Sequence, residues 1–249
     1  MGWKVAIPDD SIEYLVTRNN RIVKKKFLSK LYSEWAQLLL DYCGPRGLSI
    51  EIGASNPTVK RVLDREIVFG LDFVCSPVIA VQGDATFLPF AQDSVSNYVA
   101  IDTLHHLPDA HLFFSEVSRT LVKNGRLVLI EPWSNRWSRF IYRRLHTEPF
   151  LPMADWKTVG DGPMTRANLA LPWIVLDRDY ELFKARFPEL RVVCIKPLMP
   201  FSFLASGGAR LNFGVPGVLF TMFRRLERFF EHCGIGLSAL IVIEKSYKA

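Results

Sequence analysis

Short apolar runs alternate with helical patterns along most of the chain. Seven of these runs have the length and composition of β-strands, and they span residues 48–52, 67–71, 78–81, 95–101, 126–130, 190–195 and 237–243. Strands that alternate with helices form a parallel sheet with helices on both faces. The pattern therefore predicts an α/β fold built on seven strands.

Two helical patterns are clear in the first half of the chain. In residues 28–39, apolar side chains recur at three-and-four spacing, which predicts a helix with one buried face. A second helix, lined by Phe113, Val117 and Leu121, should begin after Asp109 and end at Gly125. Because glycine adopts the left-handed conformation freely, we expect a left-handed cap at Gly125.

The predicted elements divide the 249 residues into parts of a single domain. Residues 1–46 form an N-terminal helical cap, and residues 47–132 form a ligand-binding core. Residues 133–175 and 200–236 do not fit a minimal sheet and are predicted to be insertions over its open edge. Ligands of open α/β sheets bind outside the carboxyl ends of the strands, so these insertions are candidate lids.

Composition limits the classes of protein that remain. The formal charge of +6 is spread along the chain, which is typical of a mildly basic, solvated surface. No apolar run approaches the length of a membrane span. The cysteines form no CxxC pair, so we expect reduced thiols in a cytoplasmic protein. They are Cys43, Cys75, Cys194 and Cys233.

Two acidic residues follow the first two predicted strands of the core. Glu51 precedes the small residues Gly53 and Ala54, which let a backbone approach a ligand closely. Asp72 ends the next strand, where a carboxylate can accept hydrogen bonds from both hydroxyls of a ribose. Together they indicate a cofactor that contains adenosine.

The first turn does not have the pattern of a nicotinamide enzyme. Such enzymes place a pyrophosphate against a GxGxxG turn, whereas this chain has Glu51 and lacks the later glycines. A carboxylate there would repel a dinucleotide but would favour the cationic groups of S-adenosylmethionine.

Three further motifs follow in order: Gly83-Asp84-Ala85, the stretch Asp102-Thr103-Leu104-His105, and Glu116 to Leu127. From about Leu48 to Trp133 the chain resembles the methyltransferase type 11 family, which includes the ubiquinone and menaquinone methyltransferases. This resemblance implies a class I, S-adenosylmethionine-dependent enzyme. It also implies a Rossmann-like, seven-stranded, mostly parallel sheet with an antiparallel hairpin at its end.

The resemblance implies a role for each matched residue. Glu51, Gly53 and Ala54 would face the methionine part of S-adenosylmethionine, and Asp72 would bind the ribose. Phe73 would lie against the adenine. The remaining positions would bind the adenine amine or line the methyl-transfer side, and they are Gly83, Asp84, Ala85, Asp102 and Leu104.

A general base would assist transfer to a hydroxyl or an acidic carbon. The candidates are His105, His146 and Glu148. Alternatively, His105-His106 has only a structural role, in the turn between a strand and a helix. His146 and Glu148 are then only a pair of side chains in an exposed loop. We expect no metal ion, because the histidines near residue 105 match no usual ligand spacing.

The acceptor is left open by the sequence. The turn after the fourth predicted strand lacks the Asn/Asp-Pro-Pro-aromatic signature of amino-group methylation. An oxygen or carbon acceptor is therefore favoured, on a small molecule or on one linked to a lipid or sugar. We expect no DNA partner. Two alternatives remain: an RNA methyltransferase, suggested by the basic pI, and a noncatalytic binder, suggested by Ser55-Asn56-Pro57 in place of further glycine.

A helix predicted at residues 219–233 carries the stripe Phe223, Leu226 and Phe230, with arginines largely off it. A core-facing surface helix explains this pattern. Peripheral contact with an anionic membrane is the less favoured alternative.

Overall fold

The computed structural model describes residues 12–54, 68–75, 79–158, 160, 162, 166–209 and 214–246. The predicted turn at Ser55-Asn56-Pro57 lies outside these described residues, and so does the first residue of the predicted strand at 78–81.

The described residues form one seven-stranded sheet, which confirms the predicted α/β class. The strand order is β3-β2-β1-β4-β5-β7-β6. β1 to β5 pair in parallel, whereas β7 runs antiparallel to both β5 and β6. The strands are β1 (Ser49–Ile52), β2 (Val68–Asp72), β3 (Val81–Gln82), β4 (Val95–Ile101), β5 (Leu121–Pro132), β6 (Leu190–Leu198) and β7 (Ser238–Lys245).

Helices precede, connect and follow these strands. Those described are α1 (Ile12–Lys24), α2 (Lys26–Asp41), α3 (Ala110–Thr120), α4 (Arg136–Leu145), α5 (Leu171–Trp173), α6 (Tyr180–Arg186), α7 (Ser202–Ser206) and α8 (Phe220–His232). A single 3-10 turn, Leu104–His106, joins β4 to α3. Asp109 caps α3, because its carboxylate accepts the backbone N–H groups of His111 and Leu112.

Each face of the sheet is covered by its own apolar core. Side chains alternate along β4, so Tyr98 packs with Phe113 of α3 on one face and Val99 packs with Trp35 of α2 on the other. All four side chains are at most 1% exposed. The helix predicted over residues 28–39 is confirmed as the buried face of α2.

The predicted end of the second helix is wrong. α3 ends at Thr120, and the left-handed residue is Asn124, with φ 61°, instead of Gly125. Glycine is needed at position 125 for a different reason. A Cβ there would lie 2.8 Å from the carbonyl oxygen of Val122 and 2.9 Å from that of Ser96.

The expected orientation of the last helix is also wrong in part. The fully buried residues of α8 are Arg224 and Glu227, whereas Leu226 is 59% exposed. Burial of Arg224 is possible because its guanidinium donates hydrogen bonds to Glu34, Glu227 and Glu231. Arg224 and Glu227 therefore lie on the inward side of the helix.

Phe223 and Phe230, the other members of the predicted stripe, lie on the inward side. Phe223 contacts Phe27 edge to face, with ring centroids 5.6 Å apart, and Phe230 contacts Phe201 at 5.1 Å. Searched over its described residues, the chain has no helix that is long and apolar enough to cross a membrane.

Candidate active site

A cavity of about 490 Å³ opens at the carboxyl ends of the parallel strands. One side is formed by the ends of β1 to β4, where Gly53, Asp72, Gly83 and Asp102 lie. The opposite side is formed by α1, α2, α4, α7 and the segments that follow them. This is the position at which open α/β sheets bind ligands.

The turn after β1 needs glycine at its first position. Gly53 has φ +71°, and a Cβ there would lie 2.4 Å from the hydroxyl oxygen of Thr103. The backbone N–H groups of Gly53 and Ala54 both donate to the carbonyl of Leu71, at 2.9 and 3.2 Å, which ties the turn to β2. The bare backbone of Gly53 therefore faces the cavity.

Asp72 ends β2 with its side chain in the cavity wall. The residue is only 9% exposed, and one carboxylate oxygen accepts the backbone N–H of Val74 at 2.9 Å. Its own carbonyl accepts the N–H of Gly83 at 2.9 Å, so β2 and the segment after β3 are held together. Phe73, next to it, is 58% exposed and also lines the cavity.

Asp84 and Ala85 lie in the turn after β3. One carboxylate oxygen of Asp84 accepts both the backbone N–H and the hydroxyl of Thr86, at 2.8 and 2.7 Å. This Asx-type turn fixes the loop against the cavity, which both Asp84 and Ala85 line.

Asp102 ends β4 in the left-handed conformation, with φ 50°. Burial raises the pKa of its carboxyl to about 7, although the positive charge of His105 partly offsets the effect. Strained backbone of this kind is concentrated at functional sites. Asp102 thus presents to the cavity a carboxyl group that titrates near neutral pH.

The residues after Asp102 are organised by Glu131, at the end of β5. The Glu131 carboxylate is fully buried and accepts the backbone N–H groups of Thr103 and Leu104, at 2.7 and 2.6 Å. Its other oxygen lies 2.7 Å from Nδ1 of His105. One buried carboxylate therefore fixes both the turn after β4 and the orientation of the His105 imidazole.

His105 lies between two carboxylates. Its Nε2 atom is 3.6 Å from Glu148, on the far side from Glu131. Burial opposes a positive charge on the ring, but the Glu131 carboxylate outweighs it, with help from Glu148, and raises the pKa of His105 to about 10. His105 is therefore an imidazolium at neutral pH.

Glu148 stays ionised despite its burial. Burial alone would raise its pKa, but the hydrogen bond and charge of His105 lower the pKa below the ordinary value. Nδ1 of His146 lies 3.9 Å from the same carboxylate and accepts the Glu148 backbone N–H at 3.2 Å. The structure thus brings together all three predicted catalytic candidates at one cavity wall.

His106 faces the same cluster but is neutral at neutral pH. Its Nδ1 lies 2.7 Å from the carbonyl of Arg166, and burial together with the charge of His105 lowers its pKa to about 4. Among the described residues, ligand atoms of His105, His106 and Glu148 lie within 4.8 Å of one another, close enough to hold a metal ion. His111 and Asp109, which are close to these histidines in the sequence, do not belong to this group.

The wall opposite the strand ends is mainly apolar. It includes Ile141, Leu145, Leu169, Phe203 and Leu204. Arg18 and Arg166 add positive charge. Trp35 also lines the cavity, and its buried indole N–H has no hydrogen-bond partner among the described residues.

Seven of the ten predicted cofactor residues line this cavity: Gly53, Asp72, Phe73, Gly83, Asp84, Ala85 and Asp102. Three others are buried next to it. Glu51 lies within β1, Ala54 packs beside Gly70, and Leu104 belongs to the apolar core. The sequence did not indicate the role of Glu131; its position directly before Pro132-Trp133 at a strand end was the available signal.

Comparison with known proteins identifies the core of the chain. Residues 49–129 match the family model described as a methyltransferase domain, of type 11. No curated protein sequence is significantly similar to the chain.

Solved structures of methyltransferases share the fold. A chain in the complex of the Trm112 methyltransferase activator of Haloferax volcanii with a protein assigned as a methyltransferase is 16% identical, with a TM-score of 0.56; the match covers 96% of this chain and 98% of that one. The geranyl diphosphate C-methyltransferase of Streptomyces coelicolor A3(2), solved with Mg²⁺, geranyl diphosphate and S-adenosyl-L-homocysteine, is 19% identical, with a TM-score of 0.50, over 97% of this chain and 86% of that one.

A protein of Galdieria sulphuraria, assigned as a sarcosine dimethylglycine methyltransferase, is 16% identical, with a TM-score of 0.50, over 88% of this chain and 87% of that one. These similarities concern the fold. With the family match, they define the chain as a class I methyltransferase that uses S-adenosylmethionine.

Proposed function

We propose that this enzyme methylates an oxygen or carbon atom of a small-molecule acceptor with an apolar body, including one linked to a lipid or sugar. One observation carries the proposal. A single cavity joins the strand ends to an apolar wall, and the titratable carboxyl of Asp102 lies in that cavity.

The strand-end side suits S-adenosylmethionine. The carboxylate of Asp72 suits the two ribose hydroxyls, the bare backbone of Gly53 allows close approach, and the Asp84 turn suits the adenine. When bound there, S-adenosylmethionine would supply a methyl group, which the acceptor takes as the carbon–sulfur bond breaks and its electrons return to sulfur. Glu51 and Ala54 would support this turn from within the core.

Asp102 is the proposed general base. A base acts best when its pKa lies near the working pH, and that of Asp102 is about 7. Its carboxylate would take the proton that the acceptor oxygen or carbon loses. Asp102 ends β4, beside the predicted methyl-transfer side, and this position supports the assignment.

His105 is proposed as a positioning residue instead of a base. A ring that already holds a proton up to about pH 10 cannot accept another at neutral pH. Its charge holds the Glu148 carboxylate at the cavity wall, where negative charge would favour the cationic donor. His146 supports the same carboxylate from the side of the loop.

The insertions are proposed to select the acceptor. Residues 133–175 and 200–236 contribute the apolar side chains Ile141, Leu145 and Phe203 to the cavity wall, opposite the core at residues 47–132. Residues 1–46 contribute Arg18 and Trp35. The indole N–H of Trp35 has no hydrogen-bond partner in the part of the chain that the structure describes. It suits a polar atom on an otherwise apolar acceptor, because a buried donor without a partner is costly.

The proposal is tested by release of S-adenosylhomocysteine in the presence of acceptors. The purified enzyme is incubated with S-adenosylmethionine and panels of phenols, lipid alcohols and activated carbon acids, beside Asp102→Asn and the exposed control Asp177→Asn. We expect product with one acceptor class in the wild type and the control, and loss of product in Asp102→Asn.

Two results would overturn the proposal. Donor binding without product from any class would favour a noncatalytic binder. Methylation of RNA alone, with steeply salt-dependent RNA binding, would favour an RNA methyltransferase.

A further inference from the structure

The outward face of α8 is apolar. Val218, Met222, Leu226 and Phe229 are 84%, 58%, 59% and 69% exposed. Their spacing of three and four residues places them on one side of the helical segment. The inward side holds Phe223 and Phe230 as well as the buried Arg224 ion pairs, so the helix carries apolar side chains on both sides.

This apolar stripe continues onto α4 through a chain of aromatic contacts. Phe229 contacts Phe230 at 5.6 Å, Phe230 contacts Phe201 at 5.1 Å, and Trp137 contacts Phe201 at 5.5 Å. Trp137 then stacks on Phe140 at 6.5 Å. Phe140 is 53% exposed, so these ring contacts link exposed apolar side chains of the two helices. This apolar face comprises Val218, Met222, Leu226, Phe229, Phe140 and Leu145.

Positive charge surrounds the apolar face. α4 contains four arginines and no acidic residue. Arg225 and Arg228 of α8 are exposed, whereas its acidic residues Glu227 and Glu231 both accept hydrogen bonds from Arg224. Nearby, the side chain of Lys30 donates to the carbonyl of Gly217 at 3.2 Å, which brings the lysines at the start of α2 beside the stripe.

The apolar face also reaches the opening of the cavity. Leu145, at the end of α4, is 67% exposed and at the same time lines the cavity. Arg18 of α1 lines the cavity as well. A flat surface against this face would therefore lie beside the route by which an acceptor enters.

We propose that the apolar face binds the surface of an anionic lipid bilayer. Exposed apolar side chains flanked by arginines and lysines are the pattern of an interfacial helix, which buries its apolar side at the headgroup boundary and pairs its cations with phosphate groups. This inference does not depend on which acceptor is methylated.

Co-sedimentation with vesicles tests the proposal. The full chain is mixed with vesicles of phosphatidylcholine alone and of phosphatidylcholine with phosphatidylglycerol, at low and high salt. We expect binding to the mixed vesicles only, weakened by salt. The double variant Leu226→Ser/Phe229→Ser should bind about tenfold more weakly, because it removes two apolar side chains from the buried surface. Arg225→Gln/Arg228→Gln should also lose about tenfold.

Matched controls lie on the other face of the sheet. Leu112→Ser in α3 and Leu182→Ser in α6 change side chains that are 52% and 43% exposed, and should bind vesicles as the wild type does. The double variant Lys123→Gln/Arg186→Gln also removes two exposed positive charges and is the control for Arg225→Gln/Arg228→Gln. Donor binding by calorimetry should be unchanged in all variants, which shows that they are folded.

The proposal is overturned if the wild type does not bind the anionic vesicles, or if the α8 variants bind as tightly as the controls. It is also overturned if light scattering shows that the wild type self-associates without lipid and that Leu226→Ser/Phe229→Ser dissociates it. In that case the apolar face is an interface between two copies.

Discussion

The Nδ1 atom of His105 lies 2.7 Å from a carboxylate oxygen of Glu131, and both side chains are almost fully buried. The same carboxylate accepts the backbone N–H groups of Thr103 and Leu104, in the turn after β4. This contact therefore couples the charge of one cavity residue to the shape of the loop that bears it.

Replacing Glu131 should destabilise the protein and change its response to pH. Glu131→Gln leaves a buried imidazole without its main counter-charge, so we expect a loss of about 3 kcal/mol in the free energy of unfolding at pH 6. The raised pKa of His105 stabilises the folded state fully below about 6.5, and this contribution is lost as pH rises through about 10.

Urea denaturation between pH 6 and pH 10 measures this effect, with the exposed Glu181→Gln as control. The difference between wild type and Glu131→Gln should shrink as pH rises. A constant difference over this range would mean that His105 is not charged in the folded protein.

Asp102→Asn should lower catalysis without removing donor binding. Asparagine tolerates the left-handed φ of this position, so the fold should be kept. Loss of a general base costs about 10²- to 10⁴-fold in rate. In the wild type, kcat/KM should fall as pH drops below about 7, because the Asp102 carboxyl then becomes protonated. A wild-type profile that is flat through this region would exclude Asp102 as the base.

Gly53→Ala should disturb the turn after β1, which is proposed to bind S-adenosylmethionine, more than Gly234→Ala disturbs its own turn. Gly53 and Gly234 have similar φ values, +71° and +76°, but a Cβ meets Thr103 at position 53 and nothing within 4 Å at position 234. Backbone strain alone costs about 1 kcal/mol in each variant. Thermal unfolding and calorimetry should therefore show an additional loss of stability and of donor affinity in Gly53→Ala; equal effects in the two variants would argue against the close approach.

Methyl transfer should not require a metal ion. His105 is held as an imidazolium, which has no free lone pair for coordination, although His106 and Glu148 lie near it. Dialysis against EDTA should leave the rate of S-adenosylhomocysteine release unchanged. A loss of rate that Mg²⁺, Mn²⁺ or Zn²⁺ restores would show that a cation displaces the His105 proton.

The fold could be predicted because its signal is local. Apolar runs of strand length mark the sheet, and small and acidic residues mark the strand ends, as at Gly53 and Asp72. Parallel strands bring these ends to one edge, so most of the predicted cofactor residues line one cavity.

Features that depend on distant residues could not be predicted in the same way. Glu131 acts on His105 across 26 residues, and nothing in its local sequence separates it from a strand-end carboxylate exposed to solvent. Arg224 is buried because Glu34, 190 residues away, accepts its hydrogen bonds. The sequence of α8 alone does not separate the buried Arg224 from the exposed Arg225 and Arg228.

Calorimetric titration with S-adenosylmethionine tests the central claim most directly, with the wild type, Asp72→Ala and the exposed control Asp177→Ala compared at one pH. The cavity predicts micromolar binding in the wild type and the control, and its loss in Asp72→Ala. Absence of binding in the wild type, or equal affinity in all three proteins, would contradict the assignment of this cavity as the donor site.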